Sequence, residues 1–269
     1  MKLYIKPTNN SMINTIANIA LYYSIIVILF TLMFSNNNYD QYKVRQGFLS
    51  GKMSVINEAG IYFSGLDKVT NYEVSDDISF EEHAVKVRFS DGAVVGVKGT
   101  VKYKMPINPE RQLLIHKDFA SNKSVITDLI VKNVKEALSQ TATLMAAEES
   151  YSSRRGEFAS IAEQQFREGI FETSTREVED VDSTGTKFKK KVTSVVYKDG
   201  KPVIRKETLL KKYGIEVLQF VVNDFEYDEQ IKKLINQKKI AEQEKVIAAT
   251  NAEKAKQDAI TEVETGKAR

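Results

Sequence analysis

The hydropathy pattern divides the chain into four stretches. The first, residues 13–34, reads INTIANIALYYSIIVILFTLMF, and no charge stands between Ser11 and Asn38. A helix of that length spans about 33 Å at about 1.5 Å per residue, enough for a hydrocarbon core of roughly 30 Å. The expected lipid-facing residues are Ile13, Ile16, Ile19, Leu21, Ile25, Ile26, Val27, Ile28, Leu29, Phe30, Leu32 and Phe34. A cleaved signal peptide would have an apolar region of about 7–15 residues ending in small residues. This run is longer and ends in Met33-Phe34-Ser35-Asn36, which favours an uncleaved anchor. Flanking charges do not orient it, because Lys2, Lys6 and the amino terminus oppose Lys43, Arg45 and Lys52.

From Tyr42 the pattern changes to short runs with period two. Val55, Ile56, Ile61 and Phe63 surround an Ala-Gly turn. Val85, Val87 and Phe89 alternate with Lys86 and Arg88, and after Asp91-Gly92 the run continues with Val95, Val97, Val101 and Tyr103. Alternation across an Asp-Gly turn predicts a β-hairpin with one buried face and one wet, basic face. Pro106 and Pro109 close this strand region.

The period then becomes helical. Val125, Ile126, Leu129, Ile130, Val134, Ala137 and Leu138 form one stripe, with Ser124 as the expected N-cap. A second helix is expected over residues 148–172, with Tyr151, Phe158, Ile161, Ala162, Phe166 and Ile170 inward. Residues 172–211 interrupt this with charged strands and a turn at Asp199-Gly200. Their cluster Lys187–Lys191 could meet acidic lipid or nucleic acid, but a block this short reads first as a solvated edge.

Ile215, Val217, Phe220 and Val222 suit a buried strand that runs directly into a charged segment from Asp228. That segment has no Pro, one late Gly266, and residues of high helix propensity. Its expected contact seam is Ile231, Leu234, Ala241, Ala248, Ala252, Ala255, Ala259 and Val263. Lys238 and Lys245 interrupt the heptad, so the seam suits helices packed side by side better than a lone two-stranded coil.

Charge and chemistry narrow the function. Lys and Arg total 39 against 36 acidic residues, but Lys2 and Lys6 precede the first acid, leaving 37 against 36. A balanced body is not a nucleic-acid footprint. No Cys is present, so thiolate metal sites are excluded, and His83 and His116 show no ligand spacing. The segment GFLSGK, residues 47–52, has the wrong loop length for a P-loop, and Ser64 is not flanked as in a nucleophile elbow. A membrane hydrolase would have to find its nucleophile and base among Ser, Thr, Lys and two isolated His residues.

Three passages carry a family resemblance: VRQGFLSGKMSVINEAGIYFSG, VRFSDGAVVGVKGTVKYKM and YGIEVLQFVVNDFEYDEQIKKLINQKKIAEQEK. In their order they resemble the stomatin/prohibitin/flotillin (SPFH, band 7) superfamily, although Ala59-Gly60 stands where Pro-Gly is usual. The expected fold is α+β: an N-terminal tail (1–12), a transmembrane helix (13–34), a small mixed-sheet SPFH domain with amphipathic helices (42–227) and a coiled-coil helix (228–269). Residues 172–211 are an inserted β-hairpin relative to the usual pattern. The resemblance implies a non-enzymatic membrane scaffold without a cofactor, forming large rings or cages with itself or a paralogue. It also implies a lipid bilayer as partner and, in some members, binding and regulation of a membrane-anchored AAA protease, while the charge balance argues against nucleic acid. The location implied is a bacterial or host-cell inner membrane. In single-anchor members the large domain often lies outside the cytoplasm, and in others it does not.

Overall fold

The structure, a computed structural model, describes residues 10–151, 153–181 and 187–267. The chain begins with helix α1 (Asn10–Leu32) and strands β1 (Phe34–Asn37), β2 (Gln41–Gln46), β3 (Met53–Ile56) and β4 (Gly60–Phe63). Strands β5 (Lys68–Glu73), β6 (Ser75–Ser79), β7 (Val85–Arg88) and β8 (Val94–Lys104) follow. Next come α2 (Pro109–Phe119), α3 (Asn122–Ser124), a π-helical segment (Val125–Ile130), α4 (Val131–Ala142), α5 (Ala147–Tyr151) and α6 (Arg155–Glu168). Five strands then lead to the last elements: β9 (Gly169–Phe171), β10 (Thr173–Val181), β11 (Lys187–Val195), β12 (Tyr197–Lys198) and β13 (Lys201–Pro202). The chain ends with β14 (Ile204–Glu207), α7 (Leu209–Tyr213), β15 (Glu216–Tyr227) and α8 (Glu229–Lys267).

The fold is mixed α+β, but the strands do not form one sheet. Among the described residues they make separate small sheets: β1-β4, β3-β2-β5, β15-β8-β6 with β7 beside β8, β10-β11, β12-β13 and β9-β14. The expected hairpin across Asp91-Gly92 is present, with Val85 opposite Val97 and Val87 opposite Val95. By contrast, β3 and β4 flank Ala59-Gly60 without pairing with each other: β3 joins β2 and β4 joins β1. A short turn specifies a hairpin only when both strands lack better partners, and here each finds one elsewhere.

The chain divides into two compact units, α1 belonging to the first and α8 to the second, and β6, β8, β15 and α4 contribute residues to both. The first comprises described residues 10–77, 102–132 and 209–218. Its core sets stacked tyrosines among aliphatic side chains such as Ile115, Leu129 and Leu210. Tyr42 and Tyr72 are directly opposite in the β2–β5 register and stack with centroids 5.0 Å apart. The Tyr72 hydroxyl meets Nδ1 of buried His116 at 2.7 Å. Burial pushes the Tyr72 phenol up to about 12, so it keeps its proton beside the imidazole. Helix α2 carries His116; Pro109 opens it, and the Asn108 side chain accepts from the Glu110 and Arg111 amides.

The second unit comprises 78–101, 133–208 and 219–267 of the described residues. Phe158 lies between Phe89 and Phe225, with centroids 5.7 and 5.2 Å away. The Asp91 carboxylate accepts from Ala93 N at 3.1 Å and Ala147 N at 3.0 Å, so the hairpin turn also caps α5. Buried Gln165 donates to Thr141 Oγ1 at 2.8 Å and accepts from Phe171 N at 3.2 Å, satisfying both ends of its amide. At Gly99 in β8 the β15 backbone comes so close that a Cβ would lie 2.2 Å from Val221 O.

Several local expectations are corrected. The N-cap of the 122–142 helical run is Ser121, whose Oγ accepts from Ser124 N; Ser124 is already helical and makes no cap bond. The single helix expected over 148–172 is two, α5 and α6, because Arg154 leaves helical geometry while bridging Glu149 at 2.8 Å and Glu157 at 2.7 Å. Tyr151 is exposed rather than inward, and Ile170 lies in β9. In β15, Val217, Phe220, Phe225 and Tyr227 are buried, so the inward phase shifts twice along the strand and Val222 is only half-buried.

Two predictions follow from this packing. Gly99→Ala should cost about 1–3 kcal/mol, since overpacking must displace β15, and lower the melting temperature of the detergent-solubilised chain. Gly156→Ala, in the first turn of α6 with nothing within 4 Å of the new Cβ, should be neutral or raise it. The second concerns pH. Burial and then Lys68 hold the His116 pKa below its ordinary value, so the unfolded chain takes up a proton that the folded chain resists. Stability should therefore be full above about pH 6.5 and fall as pH drops below it. His116→Gln should flatten that part of a melting-temperature profile.

Candidate functional site

Helix α1 is the first candidate surface. Asn14–Leu32, 19 residues, is long and apolar enough to cross a membrane, and none of it is buried. Two of its hydroxyls bond within the helix: Ser24 Oγ donates to Leu21 O and Thr31 Oγ1 to Ile28 O, each at 2.8 Å. Such back-bonding lets Ser and Thr sit in hydrocarbon without an unpaired donor. Ile16, Ile19, Leu21, Ile25, Ile26, Val27, Ile28, Leu29, Phe30 and Leu32 are exposed around it. Ile13 lies in the helix but its side chain is outside the described residues, as are residues 1–9 of the tail. Phe34 is not on the helix, which ends at Leu32; it lies in β1, opposite Phe63.

The helix end is tied to the β-structure through one carbonyl. Met33 O accepts from Ser64 N at 2.8 Å, Ser64 Oγ at 3.0 Å and Gly65 N at 3.0 Å. Rings Phe30, Phe34 and Phe63 continue the joint with edge-on contacts at 5.0 and 5.6 Å. Beside it is an open cleft of about 690 Å³, lined by Met33, Arg45, Phe48, Leu49, Phe63 and Leu66 among others. Phe48 is 70% exposed, Leu49 95%, Ile61 79% and Leu66 72%. The loop bearing Phe48 and Leu49 is internally built: Gly47 N donates to Lys52 O at 2.9 Å, Gly51 N to Gly47 O at 2.8 Å, and Phe48 N to Asp67 Oδ1 at 2.9 Å. Asp67 also faces Arg45 at 3.4 Å. An ordered loop holding two large apolar side chains in water, next to an apolar helix, suits a membrane interface. The sequence reading missed it; the available signal was Phe-Leu at a tip between two turn glycines.

Helix α8 is the second surface. It begins one residue after β15, and Lys232 N donates to Asp228 O at 2.9 Å. Ile231 is half-buried, and Ile235, absent from the expected seam, is 7% exposed, so the first turns are seated. Beyond them the helix is uncovered. Leu234, Ala241, Ala248, Ala252, Ala255 and Ala259 are all exposed, and at about 100° per residue they fall on one stripe. Val263 lies in the helix with its side chain outside the described residues. Larger apolar residues away from the stripe also escaped the sequence reading: Ile240, Val246, Ile247 and Ile260, each 56–64% exposed and spread around the rest of the helix. The opposite side is polar, with Lys232, Lys239, Gln243, Thr250 and Lys254.

Neither histidine joins a catalytic or metal-binding group. His83 is exposed in a cleft with Glu82, Lys86, Glu226 and Asp228, and His116 is occupied by Tyr72. Among the described residues no cluster of three His, Asp or Glu could hold a metal ion.

A family model described as SPFH domain / Band 7 family matches residues 38–259. The chain belongs to this family. The matched region starts just past the α1–β1 joint and includes most of α8. SPFH proteins are generally membrane organisers without enzymatic activity. No curated protein matches the chain.

The chain has no Trp, so Leu49→Trp would provide a single fluorescent reporter on the SPFH loop. In vesicles its emission should be blue-shifted and quenched by brominated lipid, whereas Tyr197→Trp, on the β12–β13 hairpin, should stay red-shifted and unquenched. Equal behaviour of the two reporters would rule out lipid contact by the loop.

Proposed function

We propose that this SPFH protein is a membrane-anchored, non-enzymatic scaffold that assembles with copies of itself into a ring, wall or cage. Its role is then to organise membrane and membrane proteins. The observation that carries this reading is the uncovered length of α8. The helix has 39 residues, about 58 Å at about 1.5 Å per residue. An isolated helix is marginal in water, and this one exposes an Ala stripe together with Ile and Val elsewhere on its surface. Alanines let neighbouring helices approach closely, and the larger residues supply apolar area for further contacts. In this reading α1 crosses the bilayer and the Phe48–Leu49 loop rests on its surface. A paralogue with a matching stripe would substitute for a second copy.

The alternative is an adaptor of a membrane-anchored AAA protease, which rests on family resemblance and requires a surface reserved for that partner. Deleting 176–208 should then abolish protease co-purification and leave the assembly intact.

The scaffold reading is tested by electron microscopy and mass photometry of the full chain in mild detergent. Large, uniform particles are expected, and only monomers or dimers at micromolar concentration would sink it. Ala252→Glu should convert the particles to small species, because it places a charge on the stripe at a helix-propensity cost of a few tenths of a kcal/mol. Thr250→Glu, on the polar side, should leave them unchanged.

A further inference from the structure

The β10–β11 ribbon has no role in either surface described so far. Each strand has nine residues, so the ribbon is about 30 Å long, and among the described residues no third strand joins it. A lone two-stranded ribbon is marginal in water. Its base is nonetheless fastened: Glu172 N donates to Val203 O at 2.7 Å, Val196 N to Glu172 O at 2.9 Å, and Val203 N to Val196 O at 2.9 Å. Both outer edges therefore present unpaired backbone groups from a supported stem.

The two edges carry opposite charge. On one face the register places Glu177 opposite Lys191 and Glu179 opposite Lys189. The acidic pair is on β10 and the basic pair on β11, with Lys187 further along β11 on the same face. Charged edges usually prevent strand addition because two copies repel. Here that holds only for like edges. β10 against β10, or β11 against β11, would oppose equal charges, whereas β11 against the β10 of another copy repeats the Glu–Lys pairing already found inside the ribbon.

We infer that the β10–β11 ribbon is a second self-assembly contact, in which the basic β11 edge of one copy adds to the acidic β10 edge of the next. The inference rests on the self-assembly reading given above. In a ring of equivalent copies all ribbons point the same way along the axis. β11 of one copy then runs antiparallel to β10 of its neighbour, the more stable mode of strand pairing. The contact joins two different patches, so it propagates head to tail and closes as a ring instead of stopping at a dimer.

The experiment uses the full chain in mild detergent and reads particle mass. Glu177→Lys with Glu179→Lys makes both edges basic, and Lys189→Glu with Lys191→Glu makes both acidic. Each double variant alone should lose the large particle, and an equimolar mixture should restore it with the two chains in equal amounts. The fourfold exchange keeps every pair within the ribbon and should assemble by itself while failing to co-assemble with the parent chain. Parental mass for either double variant would overturn the ribbon contact. So would failure of both the mixture and the fourfold exchange to recover particles. A parent chain that is itself monomeric or dimeric overturns the scaffold reading and this contact with it, and is distinguished because it is measured before any variant.

Discussion

Apolar surface left in water must be covered, and this constraint organises the whole molecule. At roughly 25 cal/mol per Å², a few exposed Ile, Leu and Phe side chains outweigh most single polar interactions on a protein surface. The chain concentrates them around α1, on and beside the Phe48–Leu49 loop and along α8. The first two adjoin, since Met33 joins the end of α1 to the turn that holds Ser64 and Gly65 beside the loop's cleft. Their geometry suits one lipid surface. The third is a long linear stripe of small residues, whose shape suits another helix.

Each of these surfaces is held by a short joint within its own unit. Three donors on Met33 O leave α1 little freedom to swing relative to β1 and β4. One residue, Asp228, separates β15 from α8, and Ile235 seats the first turns of the helix. A flexible linker at either point would decouple the anchor or the helix from its domain. With both joints short, the direction of each exposed surface is set by a packed core instead of by chain entropy.

The elements with strong, sustained periodicity were legible in the sequence. The 85–104 hairpin alternates over its whole length around a turn whose Gly92 takes φ +85°, and the α8 stripe repeats at helical spacing. What escaped depended on tertiary choice. Nothing local tells β3 and β4 to ignore each other, since each is selected by a distant partner. The π-helical segment after Ser124 shifts the local period, which moved the cap to Ser121. In β15 two phase shifts of burial make residues 215–227 look like a continuous apolar strand, although only some of them face inward. Phe48 and Leu49 lie between Gly47 and Gly51, where two apolar residues at a turn make neither a helical nor an alternating pattern.

Directionality also separates a scaffold from a dimer. A two-fold contact needs a patch that complements itself, and the β10–β11 ribbon does not do so in charge. Its edges differ in sign, so in the assembly proposed above it would complement only the other edge of another copy. A head-to-tail contact of that kind would give every copy two neighbours, and closure would leave no end exposed.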